Sequence, residues 1–431
     1  MRLFCFIVII RRLVKIKRAA GAFRRIEKGA IDMKKFVLPL LIAISLVFTA
    51  CVPGVIANIT PQKTTLTLAI DQNSFALRTM VSRFNDGNPD YFIDVIYYNN
   101  TKTLDDLHDE ISEGNPPDIY AFSAGEIMET HISAPSENLL PYLENDPTFS
   151  VDSFVPAVVN HATQNGELFC LPMDFSVNAY FIQNSVVGEK SSITAGEARA
   201  YAAEKGSDIG VFPAWQGRPQ VLSHIVSIAA DSYIDAEAGT CNFNNSEFIS
   251  LLELCAEVPE ILNTEIFMES SGKNLLSDAY LFSLNAIFNF HYIYEQDYTF
   301  VGFEPSTGYG GVISLGQCFY ISADSEHKDA AWAFCRTALN PDLQRITHGV
   351  PATTAEIDRQ TQGFMANASL GFTEHDLQQL TTLLETASAR HYNSNSQIET
   401  IMTAEALAYF NGAQTAETAA QNMDTLISAL L

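Results

Sequence analysis

The sequence predicts an α/β fold built as two lobes, and two observations lead there. The chain has 431 residues, beyond the length at which a single hydrophobic core stops growing. Its first folded stretch, residues 65–123, alternates strand and helix patterns, the signature of a parallel sheet. Apolar residues make up 47% and charged residues 17%, a balance that suits a well-cored protein rather than a disordered one.

The elements follow in order. TLTLAI (65–70) alternates and is rich in β-formers, so it reads as a first strand. Residues 74–85 place Phe75, Leu77, Met80, Val81 and Phe84 at helical spacing, and Asn88 with Pro89 breaks the helix. FIDVIYY (92–98) is a second strand. Thr103 can cap a helix that runs through Ile111 and is ended by Gly114. DIYAFS (118–123) is a third strand. Ligands of such sheets bind beyond the carboxyl ends of the strands, here Asp71, Asn99, Phe122 and Ser123. A helix is expected over 153–163, then two strand-like runs around Pro172 within 166–184. From 194 the pattern turns mainly helical, over 194–205, 218–232, 246–257, 326–339, 341–347, 373–389, 396–410 and 415–430. YIDAEAGTCNF (233–243) reads as a hairpin with Gly239 in its turn, and Asn245 or Ser246 can cap the following helix.

The N-terminus carries a different kind of signal. Lys34 and Lys35 precede the uncharged run FVLPLLIAISLVFTA (36–50), which is too short for a comfortable membrane span and is interrupted by Pro39. Cys51 follows at once. FTAC resembles a lipobox, whose cysteine is acylated and becomes the mature N-terminus, with Phe48 where leucine is usual. The bland alternative is a cysteine that happens to follow an apolar run. Residues 33–50 are therefore expected to be a lipoprotein signal peptide starting at Met33, with 1–32 an over-extended start. Residues 51–61 form a lipid-anchored tether that holds the body on the extracytoplasmic face of the cell membrane. Of 25 Lys and Arg, 11 lie in the first 50 residues, against 2 of the 50 Asp and Glu. The remainder keeps 14 basic and 48 acidic residues, a surface that repels polyanions and argues against nucleic acid as a partner. Cys170, Cys241, Cys255, Cys318 and Cys335 show no CxxC spacing. Buried free thiols are expected, with a Cys241–Cys255 disulfide as the alternative.

No GxSxG, HExxH, Walker A or GxGxxG motif is present. His161, near a helix end, reads as a surface residue. The acidic pairs Asp105-Asp106 and Asp109-Glu110 read as a solvated helix face. No cofactor or metal is expected.

Several separated stretches resemble one family, the sugar-binding extracellular solute-binding proteins called family 1 of ABC importers. These are PPDIYAFS, NLLPYLEND, GELFCLPMDFSVNAYFIQN, AWAFCRTALNPDLQ (331–344), GVPATTAEI (349–357) and the C-terminal AEALAYFNGAQTAETAAQNMDTLISALL. They cover most of 62–431 in the family's order, with Ser185 where lysine often follows Asn184. The resemblance implies a type II periplasmic-binding-protein-like fold with a ligand cleft between lobes. Lobe 1 would take 62–172 plus 315–348, and lobe 2 would take 173–314 plus 349–431. It also implies a monomer that captures a small-molecule solute, a mono- or oligosaccharide, and delivers it to permease subunits in the membrane without catalysis.

Sugars offer apolar ring faces and a hydroxyl rim, which aromatic and short polar side chains can meet. The candidate ligand residues are Asp71, Asn99, Ser123, Asp174, Phe175, Asn178, Trp215, Tyr309, Gly310 and Gly311. Trp332, Phe122, Tyr180 and Tyr292 read as core, and 288–300 as core plus cleft wall. Three rivals stay open: a ligand sensor of the same fold, a binder of a peptide or polyamine, and a surface glycan hydrolase, which needs two carboxylates facing one cleft.

Overall fold

The computed structural model describes residues 63–431, apart from 72–73, 100–101, 124–135, 165, 214–216, 219–220, 223–224, 226–231, 236–237, 259, 261–272, 295–296, 305–308 and 390–395. Cys51, the stretches assigned to signal and tether, Trp215 and most of the helix expected over 218–232 lie outside the described residues.

In chain order the strands that matter here are β1 (Thr64–Ile70), β2 (Tyr91–Tyr97), β3 (Ile119–Ser123), β4 (Leu171–Pro172), β5 (Asp174–Ile182), β6 (Ser192–Ile193), β7 (Ser277–Leu281), β8 (Thr299–Phe303), β9 (Val312–Leu315), β10 (Gln317–Ile321), β11 (Val350–Pro351) and β12 (Ser388–Ala389). The helices are α1 (Phe75–Gly87), α2 (Leu104–Ser112), α3 (Pro156–Ala162), α4 (Ala195–Lys205), α5 (Ser246–Ala256), α6 (Ile287–Tyr294), α7 (Lys328–Cys335), α8 (Pro341–Gln344), α9 (Thr354–Ala366), α10 (Glu374–Thr386), α11 (Ser396–Phe410) and α12 (Ala416–Ser428).

Two sheets organise the body. The first has five strands in the order β2-β1-β3-β10-β4, with β1 parallel to both β2 and β3, as the strand–helix alternation predicts. The second has seven strands. Its hub is β5, which pairs antiparallel with β7, β8, β9 and β11.

Local chemistry explains the helix starts. Ser74 Oγ accepts Leu77 N at 3.1 Å to open α1. Thr103 and Asp106 form a capping box at α2, and Asn245 Oδ1 accepts the Glu247 and Phe248 amides, each at 3.0 Å, to open α5. The hairpin around Gly239 forms as expected, pairing 234–235 with 240–241.

The alternation of β5 sorts the core. Phe175, Val177, Ala179 and Phe181 enter the packing that is continuous with the first sheet, through Ile313, Leu315, Phe319 and Phe334. Tyr180 and Ile182 enter a second packed layer, with Val301, Phe303, Val312, Leu251 and Met423. Trp332 and Phe122 are core residues, as read, and Trp332 lies 5.7 Å from Tyr142, ring to ring.

Several features differ from the sequence reading, among them the helix α9, which it did not predict. Among the described residues, the chain between 194 and 326 is not mainly helical, because β7, β8, β9 and β10 all lie there. His161 is buried rather than on the surface, since the last turn of α3 faces the protein interior. Within the acidic helix α2, Asp105, Asp106 and Asp109 are exposed, but Glu110 is half-buried, accepting Tyr98 Oη at 2.6 Å and pairing with Lys102 Nζ at 2.5 Å. All five cysteines of the body are free thiols, and burial pushes the Cys255 thiol up to about 12.

Candidate functional site

The strand ends of the first sheet carry three of the candidates. Asp71 follows β1, Asn99 lies just beyond β2, and Asn99 Nδ2 donates to the Asp71 carbonyl, stitching the two loops together. Asn99 is exposed and Asp71 half-buried. Ser123 ends β3 directly opposite Gln317, the first residue of β10.

The second sheet carries a further half-open surface of its own. On β5 the even-numbered residues share one face. Beyond Tyr180, which is covered by the second packed layer, Asn178 and Ser176 emerge half-buried. Their register partners continue the patch: Tyr280 of β7 lies opposite Asn178, and Ser314 of β9 lies opposite Ser176. Tyr280 is 53% exposed and Phe282 49%, their ring centroids 5.8 Å apart. Directly paired residues on one face are about 5 Å apart at Cβ, so Asn178, Ser176, Ser314 and Tyr280 form one continuous patch. It is an aromatic plate beside short uncharged donors and acceptors, the combination that suits a ring with an apolar face and a hydroxyl rim.

The other candidates have different places. Phe175 lies on the opposite face of β5 and is fully buried, because a residue one step along a strand points to the other side. Gly310 packs against Gly302 of β8, and Gly311 against Leu383 of α10 and Val177 of β5. Both glycines are buried and serve close packing. Tyr309 is half-buried against the core shared with the first sheet. Asp174 is only 5% exposed. Its Oδ1 accepts Gln317 N at 2.8 Å, and its Oδ2 accepts Gly349 N at 3.3 Å and the Thr347 hydroxyl. Burial pushes its carboxyl up to about 6, against the pull of the Gln317 and Gly349 amides. Tyr180 is buried, and the side chain of Tyr292 lies outside the described residues.

The sequence reading missed Ser176, Tyr280, Ser314 and Gln317. For Ser176 the period-2 pattern from Asn178 was a usable signal. Tyr280 and Ser314 become visible only through strand pairing. Among the described residues, no group of three or more His, Cys, Asp or Glu could hold a metal ion, and no helix is long and apolar enough to cross a membrane.

The fold is an α/β, two-lobe fold of the periplasmic-binding-protein type, and the solved structures that share it fix its class. One is the cyclic alpha-maltosyl-1,6-maltose binding protein from Arthrobacter globiformis, at TM-score 0.61 and 16% identity, covering 85% of this chain and 99% of that one. Another is the sugar-binding protein MalE from Xanthomonas citri, also at TM-score 0.61 and 16% identity, covering 85% and 97%. A third, at TM-score 0.59 and 14% identity over 85% and 98%, is described as a de novo designed esterase, so likeness of fold does not by itself exclude catalysis. No family model matches the chain, and no curated protein matches it in sequence.

Proposed function

We propose that this chain is an extracytoplasmic solute-binding lipoprotein of an ABC importer, anchored through Cys51, which captures a mono- or oligosaccharide between two lobes and hands it to membrane permease subunits. The observation that carries the reading is the patch of Tyr280, Asn178, Ser176 and Ser314. It lies on the sheet face left open by the second packed layer, in a fold shared with proteins described as sugar-binding. The lobes are taken as 62–172 plus 315–348 and 173–314 plus 349–431, with α3 touching both sheets through β4, β9 and β12. Asp71, Asn99 and Ser123 would meet the ligand from the first sheet. Trp215 is kept as a stacking candidate and Tyr309 as a contact just before β9. No bond is made or broken. A ligand shifts the lobes toward closure only by its differential affinity for the closed form.

The test is a thermal-shift screen of the full-length chain against mono- and oligosaccharides, with amino acids, peptides and polyamines as controls. A ligand at a hundred times its Kd adds about 2.7 kcal/mol of stability. A shift with one sugar class, and that sugar recovered intact, supports the reading. Consumption of the sugar turns it into a hydrolase, and a shift with polyamine or peptide alone keeps the fold and overturns the ligand class. With a sugar in hand, Tyr280→Ala is expected to weaken binding by about 2 kcal/mol, roughly 30-fold in Kd. Since Tyr280 is half in solvent, the unliganded unfolding midpoint should stay where it is. An unchanged Kd by calorimetry would remove Tyr280 from the site.

A further inference from the structure

Three passages of the chain meet at a single carboxylate, two from sheet to sheet and one from a helix into the second sheet. The first is β4 to β5, where Pro172 ends in one sheet and Asp174 begins in the other. The second is β9 to β10, through Gly316. The third runs from α8, which packs on α1, through Thr347 and Gly349 to β11, which pairs with β5. Asp174 binds the other two passages at once, taking Gln317 N on Oδ1 and the Thr347 hydroxyl with Gly349 N on Oδ2. Its own carbonyl accepts Gly316 N at 2.9 Å. Met173 beside it is held as firmly: its amide donates to the Gln317 carbonyl at 2.8 Å, and its carbonyl accepts buried Gln344 Nε2 at 2.6 Å.

The sequence leaves room for this arrangement. A methyl group on Gly316 would overlap Asp174 Oδ1, and one on Gly349 would sit 2.7 Å from Asp174 Cβ and 2.9 Å from the Phe175 carbonyl. Only glycine at both positions lets two strands close around the carboxylate.

We propose that Asp174 is a protonation-controlled clasp on the hinge between the lobes: ionised, it ties all three passages together, and protonated, it lets go of the passage that carries Gly349. A carboxylate can accept from three donors, whereas a protonated carboxyl turns one oxygen into a donor. The Thr347 hydroxyl can reverse to accept it, but the Gly349 amide cannot. The change falls in an ordinary pH range because burial lifts the carboxyl to about 6, while the Gln317 and Gly349 amides and the nearby His348 hold it down. Among the described residues the titratable groups that bear on Asp174 are exposed His348, between Thr347 and Gly349 on the third passage, and the buried Cys318 thiol of β10. The sign is that of a raised acid. The contribution of Asp174 to global stability is complete below about 3.8 and is lost as pH rises through about 6, while the clasp itself needs the charge that this costs.

The experiment is hydrogen exchange by mass spectrometry on the full-length chain between pH 5 and pH 7.5, corrected for intrinsic rates, with X-ray scattering at the same pH values. Protection over 346–352 is expected to fall about tenfold on acidification, and the radius of gyration to change over the same range. Asp174→Asn should abolish both pH dependences. Thr347→Val, which removes a donor to the ionised form and leaves the carboxyl in place, should move the midpoint to higher pH, and it decides the matter if Asp174→Asn does not fold. Flat protection or a flat radius in the wild type, or an Asp174→Asn variant that tracks it, overturns the proposal.

Discussion

Replacing Gly310 by alanine is expected to destabilise the fold by about 3–5 kcal/mol, a large loss for the addition of one methyl group. Two costs combine. Gly310 has φ +68°, a left-handed backbone that an L-residue adopts at a cost of about 1–2 kcal/mol. Its Cβ would also overlap the Gly302 Cα and lie 3.0 Å from the Gly302 amide nitrogen. Gly302 is main chain within β8, between β5 and β6, and cannot turn aside as a flexible side chain would. Gly371 supplies the control. It has φ +70° and open space where a Cβ would lie, so Gly371→Ala should cost only the backbone component, about 1–2 kcal/mol. Urea unfolding of both variants separates the two costs. Equal losses would show that Gly302 yields and that the close approach of 310 to β8 carries no weight.

Why was one half of the molecule legible in the sequence and the other not? The first sheet announces itself because its strands are punctuated by caps and breakers, with Ser74, Asn88, Thr103 and Gly114 falling where the helices start and stop. The second sheet hides where its strands are buried on both faces. TFVGF of β8 is buried at every position, and such a run has no alternation to separate it from a buried helix. Helix α9 was missed for the opposite reason: it buries only Glu356, Ile357 and Thr361, too few for a periodic stripe. The candidate site divides in the same way. Asn178 was within reach because it lies just past the Pro172 crossing. Tyr280 was not, because its place beside Asn178 is a fact of register about a hundred residues away in sequence. Asp174 was singled out for its position at the crossing, but only the geometry shows its oxygens taken up by the backbone and by Thr347.

Removing Arg336 should damage the fold nearly as much as crowding Gly310, and in a way that depends on pH. Asp146 is an acid in a loop after the helical turn 140–144, with only 1% of its side chain exposed. Its Oδ1 accepts the Thr148 amide at 2.9 Å, the Phe149 amide at 3.1 Å and Arg336 Nη2 at 2.9 Å, while Arg336 Nε donates to Oδ2. The guanidinium also lies over the Phe149 ring, 5.7 Å from its centroid. This pair fastens the 146–149 loop to the helical turn that follows α7. Arg336→Met leaves the carboxylate buried without its cation, and breaking a buried pair from one side costs about 3–5 kcal/mol. The pH dependence follows from Asp146, whose carboxyl is held down to about 2, first by Arg336 and then by the Thr148 and Phe149 amides, against burial. A depressed acid contributes stability that is complete above its unfolded value of 3.8 and is lost as pH falls through about 2, worth about 2 kcal/mol in all. Without Arg336 the same burial pushes the carboxyl upward, so in acid the variant takes up a proton and sheds its unpaired charge. The gap between wild type and Arg336→Met in urea should therefore be wide at pH 7 and clearly narrower at pH 3. If instead the gap is the same at both, the cost lies in lost packing over Phe149 rather than in the stranded charge, and the electrostatic account of this junction fails.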